Sequence, residues 1–143
     1  MKVRPAVAKD AQRCAEISRI RPTKELTRLL RQNDVTWLVI EDNSGIVVGI
    51  GIIHLWTWNK VAWVWDLTID EPHRGKGFGR TLLKGLIQAA RRIGARVLMD
   101  FESPRAGSLT HLYLESGFRV CGTNDRWFAC DKDPTAVFYG YDL

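Results

Sequence analysis

The 143-residue chain is 45% apolar with a formal net charge of +5, enough to bury one core without disulfides or metal and too short for two ordinary domains. No apolar run approaches the roughly 18 residues of a membrane span, and there is no N-terminal apolar h-region, repeat or low-complexity tract. One domain over 1–143, in the cytoplasm and away from membranes, is the expectation. Residues 1–31 hold nine Lys/Arg against three Asp/Glu, but neither zinc-finger spacing nor an RNA-recognition motif accompanies them, so a solvated basic face is expected and no nucleic-acid partner. Cys14, Cys121 and Cys130 are odd in number and lack ligand spacing. They read as free thiols, with a Cys121/Cys130 contact across neighbouring strands as the alternative.

In chain order, Lys2 to Val7 reads as a strand, followed by a helix from an Asp10 N-cap to about Arg19. Thr23 caps a second helix, whose Leu26, Leu29 and Leu30 fall at helical spacing before Asn33-Asp34 ends it. Trp37 to Glu41 and Ile46 to His54 read as an antiparallel hairpin joined by Asp42-Asn43-Ser44-Gly45. Ala62 to Ile69 is the next strand. Six tryptophans are many for this length; alternation puts Trp63 and Trp65 on one face, where they could line an acceptor pocket suited to a cation or a planar group.

After Ile69 the chain breaks at Pro72 and restarts as a helix through Arg74-Gly75-Lys76-Gly77-Phe78-Gly79-Arg80. Alternating glycines let backbone approach an anion, the amides at a helix start are free donors, and the helix dipole adds about half a positive charge. The loop is therefore a pyrophosphate cradle, with Arg74, Lys76 and Arg80 adding full charges. It is not a Walker loop, because Gly79 is followed by Arg80-Thr81 rather than Lys-Ser/Thr, and G-x-G-x-G is not the G-x-G-x-x-G of a dinucleotide fold. The helix that follows carries an apolar stripe of Phe78, Leu82, Leu83, Leu86, Ala90 and Ile93 and stops at Gly94. Val97 to Phe101 is a strand, and Ser103-Pro104 reads as the start of the next helix. That helix ends in Tyr113-Leu114-Glu115-Ser116-Gly117-Phe118. Arg119 to Thr123, Trp127 to Cys130 and Val137 to Tyr141 read as closing strands.

R-x-x-G-x-G at Arg74 to Gly79, followed by Y-x-E-x-G-F at Tyr113 to Phe118, resembles the GNAT superfamily of N-acetyltransferases. Trp58-Asn59, Ala62, Asp66 to Asp70 and the tail Ala136 to Tyr141 resemble the streptothricin acetyltransferase branch over residues 58–141. The resemblance implies an α/β (α+β) fold with a single mixed, mostly antiparallel sheet flanked by about four helices. It implies acetyl-CoA as co-substrate, with pantetheine held by backbone groups of Leu67 and Ile69, the thioester carbonyl by an amide at Leu67 or Thr68, and the pyrophosphate by Arg74, Gly75, Lys76, Gly77, Phe78, Gly79 and Arg80. His54, His73 and His111 have no ligand spacing, so no metal is expected. Two departures stand out: Trp65 replaces the acidic residue before the strand aspartate, and Ala106 falls where a pantetheine-contacting asparagine is expected. Loss of half an acidic pair argues against a polycationic acceptor.

Amide formation needs an uncharged amine, a polarised thioester carbonyl and a proton for the departing thiolate. Presenting a neutral lysine-type amine at pH 7 costs about 4.6 kcal/mol, against about 1 for an α-amine. Asp66 is the first candidate base, acting through water, with Asp70 and Glu71 behind it; its alternative is a paired carboxylate that orients the strand. Tyr113 is carried over by the resemblance as general acid. An enzyme transferring acetyl to a small amine, including a streptothricin-like antibiotic, or to a peptide amine competes with a CoA-binding regulatory module that has lost catalysis. A homodimer through the closing strands is common in such folds.

Overall fold

The computed structural model describes every residue except Ala106 and Asp131, and for Ser108 the backbone alone. The elements are β1 (Lys2–Pro5), α1 (Ala11–Ser18), α2 (Thr23–Leu29), β2 (Val35–Glu41), β3 (Val47–Trp56), β4 (Val61–Ile69), α3 (Phe78–Arg92), β5 (Val97–Glu102), α4 (Gly107–Glu115), β6 (Arg119–Asn124) and β7 (Ala136–Asp142). Seven strands form one sheet in the order β1-β2-β3-β4-β5-β7-β6, antiparallel except for the parallel β4/β5 pair. The expected mixed α/β sheet with four helices is therefore present.

The apolar stripe of α3 packs Leu82, Leu83, Leu86 and Ala90 on one sheet face with Val64, Leu98, Tyr113 and Phe118. On the other face, Cys14 and Ile17 of α1 and Leu26 and Leu29 of α2 meet Trp37, Val39, Ile50 and Ile52. Burial pushes the Cys14 thiol up to about 12, so it behaves as a small core hydrophobe. Cys121 and Cys130 are exposed free thiols, so the alternative contact between them is not made.

Three local expectations are corrected. Trp127 to Cys130 is not a strand: the Trp127 and Phe128 amides both donate to the Pro134 carbonyl at 2.9 Å, turning the chain back on itself. α4 begins at Gly107 rather than Ser103-Pro104, because Ser103 closes a local turn by accepting from the Arg105 amide at 3.3 Å. α2 ends at Leu29, before Asn33-Asp34. Asp10 does precede α1, but its carboxylate binds Arg4 and the Val7 amide rather than the helix.

The β3/β4 contact is tight enough to predict a mutational cost. A Cβ at Gly49 would lie 2.5 Å from Ile69 Cδ1, 2.7 Å from Ile40 Cγ2 and 3.2 Å from the Thr68 carbonyl. Gly49→Ala should therefore destabilise by about 1–3 kcal/mol, since the buried Ile40 cannot withdraw. Thermal unfolding should show a fall in Tm of roughly 5 °C; an unchanged Tm would mean that β3 and β4 separate freely.

Candidate active site

Two features of β4 build the site. Its pairing with β3 slips between Ile52 and Ile53, which meet Asp66 and Val64, leaving Trp65 as the extra residue of a β-bulge. Its pairing with β5 covers only Val61 to Trp63 against Val97 to Met99. Beyond that fork β4 runs on to Ile69 paired with β3 alone, and a gap opens between the strands at the centre of the sheet.

The gap leads into a cleft of about 610 Å³ lined by Leu67, Thr68 and Ile69 of β4, by Arg74, Gly75, Gly77, Gly79 and Arg80, and by α4. Gly75 and Gly77 have φ of 72° and 87°, conformations that glycine adopts without steric cost. Gly77 is the N-cap of α3, whose first bond runs from the Thr81 amide to the Gly77 carbonyl at 3.1 Å. The amides of Phe78, Gly79 and Arg80 therefore have no acceptor within the helix and point out of its positive end. The donor set fits a pyrophosphate, and the unpaired edge of β4 fits the amide-bearing arm of pantetheine.

Not every residue expected at the cradle lines it. Lys76 turns away and donates to the Pro72 carbonyl at 2.8 Å, while Phe78 is buried in the core edge-on to His73. Arg74 holds the loop by donating to the Ile69 carbonyl at 3.0 Å, and Arg80 is ion-paired with Glu115 of α4. His73, Leu109, His111 and Leu112 complete the lining together with Glu115 of the Y-x-E-x-G-F motif; the first four had no motif to mark them, only proximity in the fold.

Asp66 and Tyr113 both lie outside the cleft lining. Asp66, 5% exposed, accepts from Ser18 Oγ of α1 at 2.6 Å and from Thr68 Oγ1 at 2.7 Å, with Arg21 Nε 3.5 Å away. This is the arrangement of a paired carboxylate that orients its strand. Asp70 caps the turn at Glu71 and pairs with Arg13, and Glu71 is an exposed partner of Arg19. Tyr113, 0% exposed, donates its hydroxyl to Asp100 of β5 and stacks on Tyr139. Burial, then the Asp100 carboxylate, holds its phenol well above the ordinary value. Burial also pushes Asp100 up to about 8 and Glu102 up to about 7. Ala106 lies outside the described residues.

The acetyltransferase (GNAT) family matches over residues 4–118, a span that takes in the fork and the glycine cradle. The chain belongs to this family. Streptothricin acetyltransferase of Streptomyces lavendulae is 32% identical over 80 residues, 55% of this chain and 42% of that protein. The curated relatives it matches are spanned over only 28% to 42% of their own length. Among solved structures, ribosomal-protein-alanine N-acetyltransferase from Brucella melitensis superposes with a TM-score of 0.88 at 21% identity, each chain fully covered. Nourseothricin acetyltransferase gives 0.70 at 24% identity, covering 77% of this chain and 66% of that one. At these identities the two structures show the GNAT fold alone. GNAT enzymes use acetyl-CoA as co-substrate. Among the described residues, no cluster of three His, Cys, Asp or Glu side chains is placed to hold a metal, and no helix is long and apolar enough to cross a membrane.

Proposed function

We propose that this GNAT chain transfers acetyl from acetyl-CoA directly to a primary amine in a ternary complex. The observation that carries the reading is the continuity of the amide cradle at α3 with the β4/β5 gap, which joins a diphosphate site to an open strand edge. Acetyl-CoA supplies the acetyl group as a thioester; the chain supplies orientation and proton handling. Backbone amides of Leu67 or Thr68 along the unpaired edge would donate to the thioester carbonyl. A pure CoA-binding module would have no use for the tuned carboxylates at the fork.

In this reading Asp66 orients the bulge instead of acting as base, because the Ser18 and Thr68 hydroxyls already donate to it and Arg21 lies alongside. Glu102 ends β5 beyond Met99, the last residue paired with β4, where the two strands have parted, and burial pushes it up to about 7; it is the candidate general base. Tyr113 remains the proton donor to the departing thiolate, backed by Asp100. A phenol far above 10 is a weak acid alone. A carboxyl near 8 behind it brings the pair close to the thiol's value of about 8.5, so proton delivery is nearly level.

The test is CoA thiol release with small amines, α-amine peptides and lysine peptides as acceptors, run on wild type and Glu102→Gln. The amide should lower kcat by about 10²-fold for lysine-type amines and less for α-amines, whose deprotonation costs less. Equal loss for both classes would remove Glu102 from base catalysis, and no thiol release with any amine would favour the regulatory module.

A further inference from the structure

The sheet face opposite α3 is covered unevenly: α1 packs on β3 and β4, and β5 and β7 beyond them meet the stretch between β6 and β7. There, next to the fork, six aromatic side chains adjoin one another outside both buried clusters. Trp63, the last β4 residue paired with β5, lies 5.6 Å from Trp56, 6.2 Å from Phe101 and 6.1 Å from Phe138 between ring centroids. Trp127 meets Phe101 at 4.8 Å and Phe138 at 5.0 Å, and Phe128 adds a contact at 6.1 Å to Phe101. None of the six is fully buried, and Trp56 and Trp127 are 39% and 42% exposed. A partly exposed aromatic wall of this size, beside the point where the strands part, is a recognition surface before it is a core.

The charges nearby restrict what it recognises. Trp65, where an acidic residue would help to hold a polycation, instead lies under the Arg21 guanidinium at 5.8 Å. Asp66 is occupied by Ser18, Thr68 and Arg21, and Glu25 by Arg21 at 2.7 Å. Lys24, Arg28 and Arg31, spaced i, i+4 and i+7 along α2 and just past its end, line a groove of about 620 Å³ on that helix, following Arg21 in the chain. A second positive centre on the acceptor would approach Arg21, where Asp66 and Glu25 are already engaged. The indole N–H of Trp63 is buried without a partner among the described residues and adds a donor to the wall.

Resting on the acetyltransferase reading, we propose that the acceptor is a primary amine carrying a planar aromatic group and no second cationic centre, seated against Trp63, Phe101 and Trp127. Ring-on-ring contact selects a planar group over an aliphatic one of equal volume, and the basic surroundings select against polyamines.

The experiment titrates the CoA-bound full chain with phenethylamine, its saturated analogue cyclohexylethylamine, and spermidine, by calorimetry, with thiol release followed in parallel. Phenethylamine should bind about tenfold tighter than either competitor, an advantage in keeping with one or two aromatic contacts. Trp127→Ala and Trp127→Leu, both at a partly exposed position, should reduce the preference to threefold or less. Equal affinities, tighter spermidine binding, absence of binding by all three, or a preference that survives both variants would overturn the proposal. Aromatic preference in binding without thiol release would instead overturn the transferase reading and leave the site in place.

Discussion

Gly77→Val should weaken acetyl-CoA binding about 100-fold while leaving the fold intact. Gly77 sits at φ 87° as the N-cap of α3, and a β-branched residue there is a steric outlier. An L-residue pays about 1–2 kcal/mol to stay left-handed, so the loop would relax toward negative φ and swing the amides of Phe78, Gly79 and Arg80 off the diphosphate. Hydrogen bonds to a charged group are worth about 1.5–3 kcal/mol each, and losing two accounts for the two decades. The core should not notice, because a Cβ at Gly77 meets nothing closer than Met1 Cε at 3.9 Å. Calorimetric titration with acetyl-CoA checks the first claim and thermal unfolding the second. A Kd within threefold of wild type would mean that side chains, not these amides, hold the phosphates.

The cradle and the helix behind it were legible in sequence because both are local. Alternating glycines at a strand-to-helix break need left-handed backbone, and the stripe from Phe78 to Ala90 needs a sheet to cover. The β-bulge was not legible. Nothing in Trp65-Asp66 marks it; it arises from how β4 registers against Ile52 and Ile53 of β3, and it sends both Trp65 and Asp66 toward α1 and α2. Ser18 and Arg21, some 45 residues upstream of Asp66, were therefore missed as its partners. The misread strand at Trp127 to Cys130 has a similar cause: its aromatic residues are real apolar anchors, but they pack on Phe101 and Phe138 from a turn. Asp100 and Glu102 drew no attention in the sequence because their raised proton affinities come from burial, which only the folded chain supplies.

Tyr113 and Asp100 act as one proton-handling unit in the proposed mechanism, and substitution should reveal it. Tyr113→Phe should lower kcat by about 10²-fold or more, the usual contribution of a positioned acid, with acetyl-CoA affinity near normal because the amide cradle at the start of α3 is the cofactor's main anchor. Asp100→Asn keeps an acceptor for the Tyr113 hydroxyl but holds no exchangeable acid proton. Wild-type kcat should fall as pH rises through about 8, where Asp100 loses its proton, and in Asp100→Asn that alkaline limb should vanish at a lower, flat rate. Stability should follow the same group. Its folded pKa lies above the unfolded value of 3.8, so the stabilising contribution is complete below that value and is lost as pH rises through about 8. Thermal unfolding of wild type should therefore weaken from pH 5 to pH 9, and Asp100→Asn should flatten the trend. A flattened stability curve with an unchanged kcat profile would leave Asp100 a structural acid beside Tyr113; loss of both pH dependences together would make it the proton source.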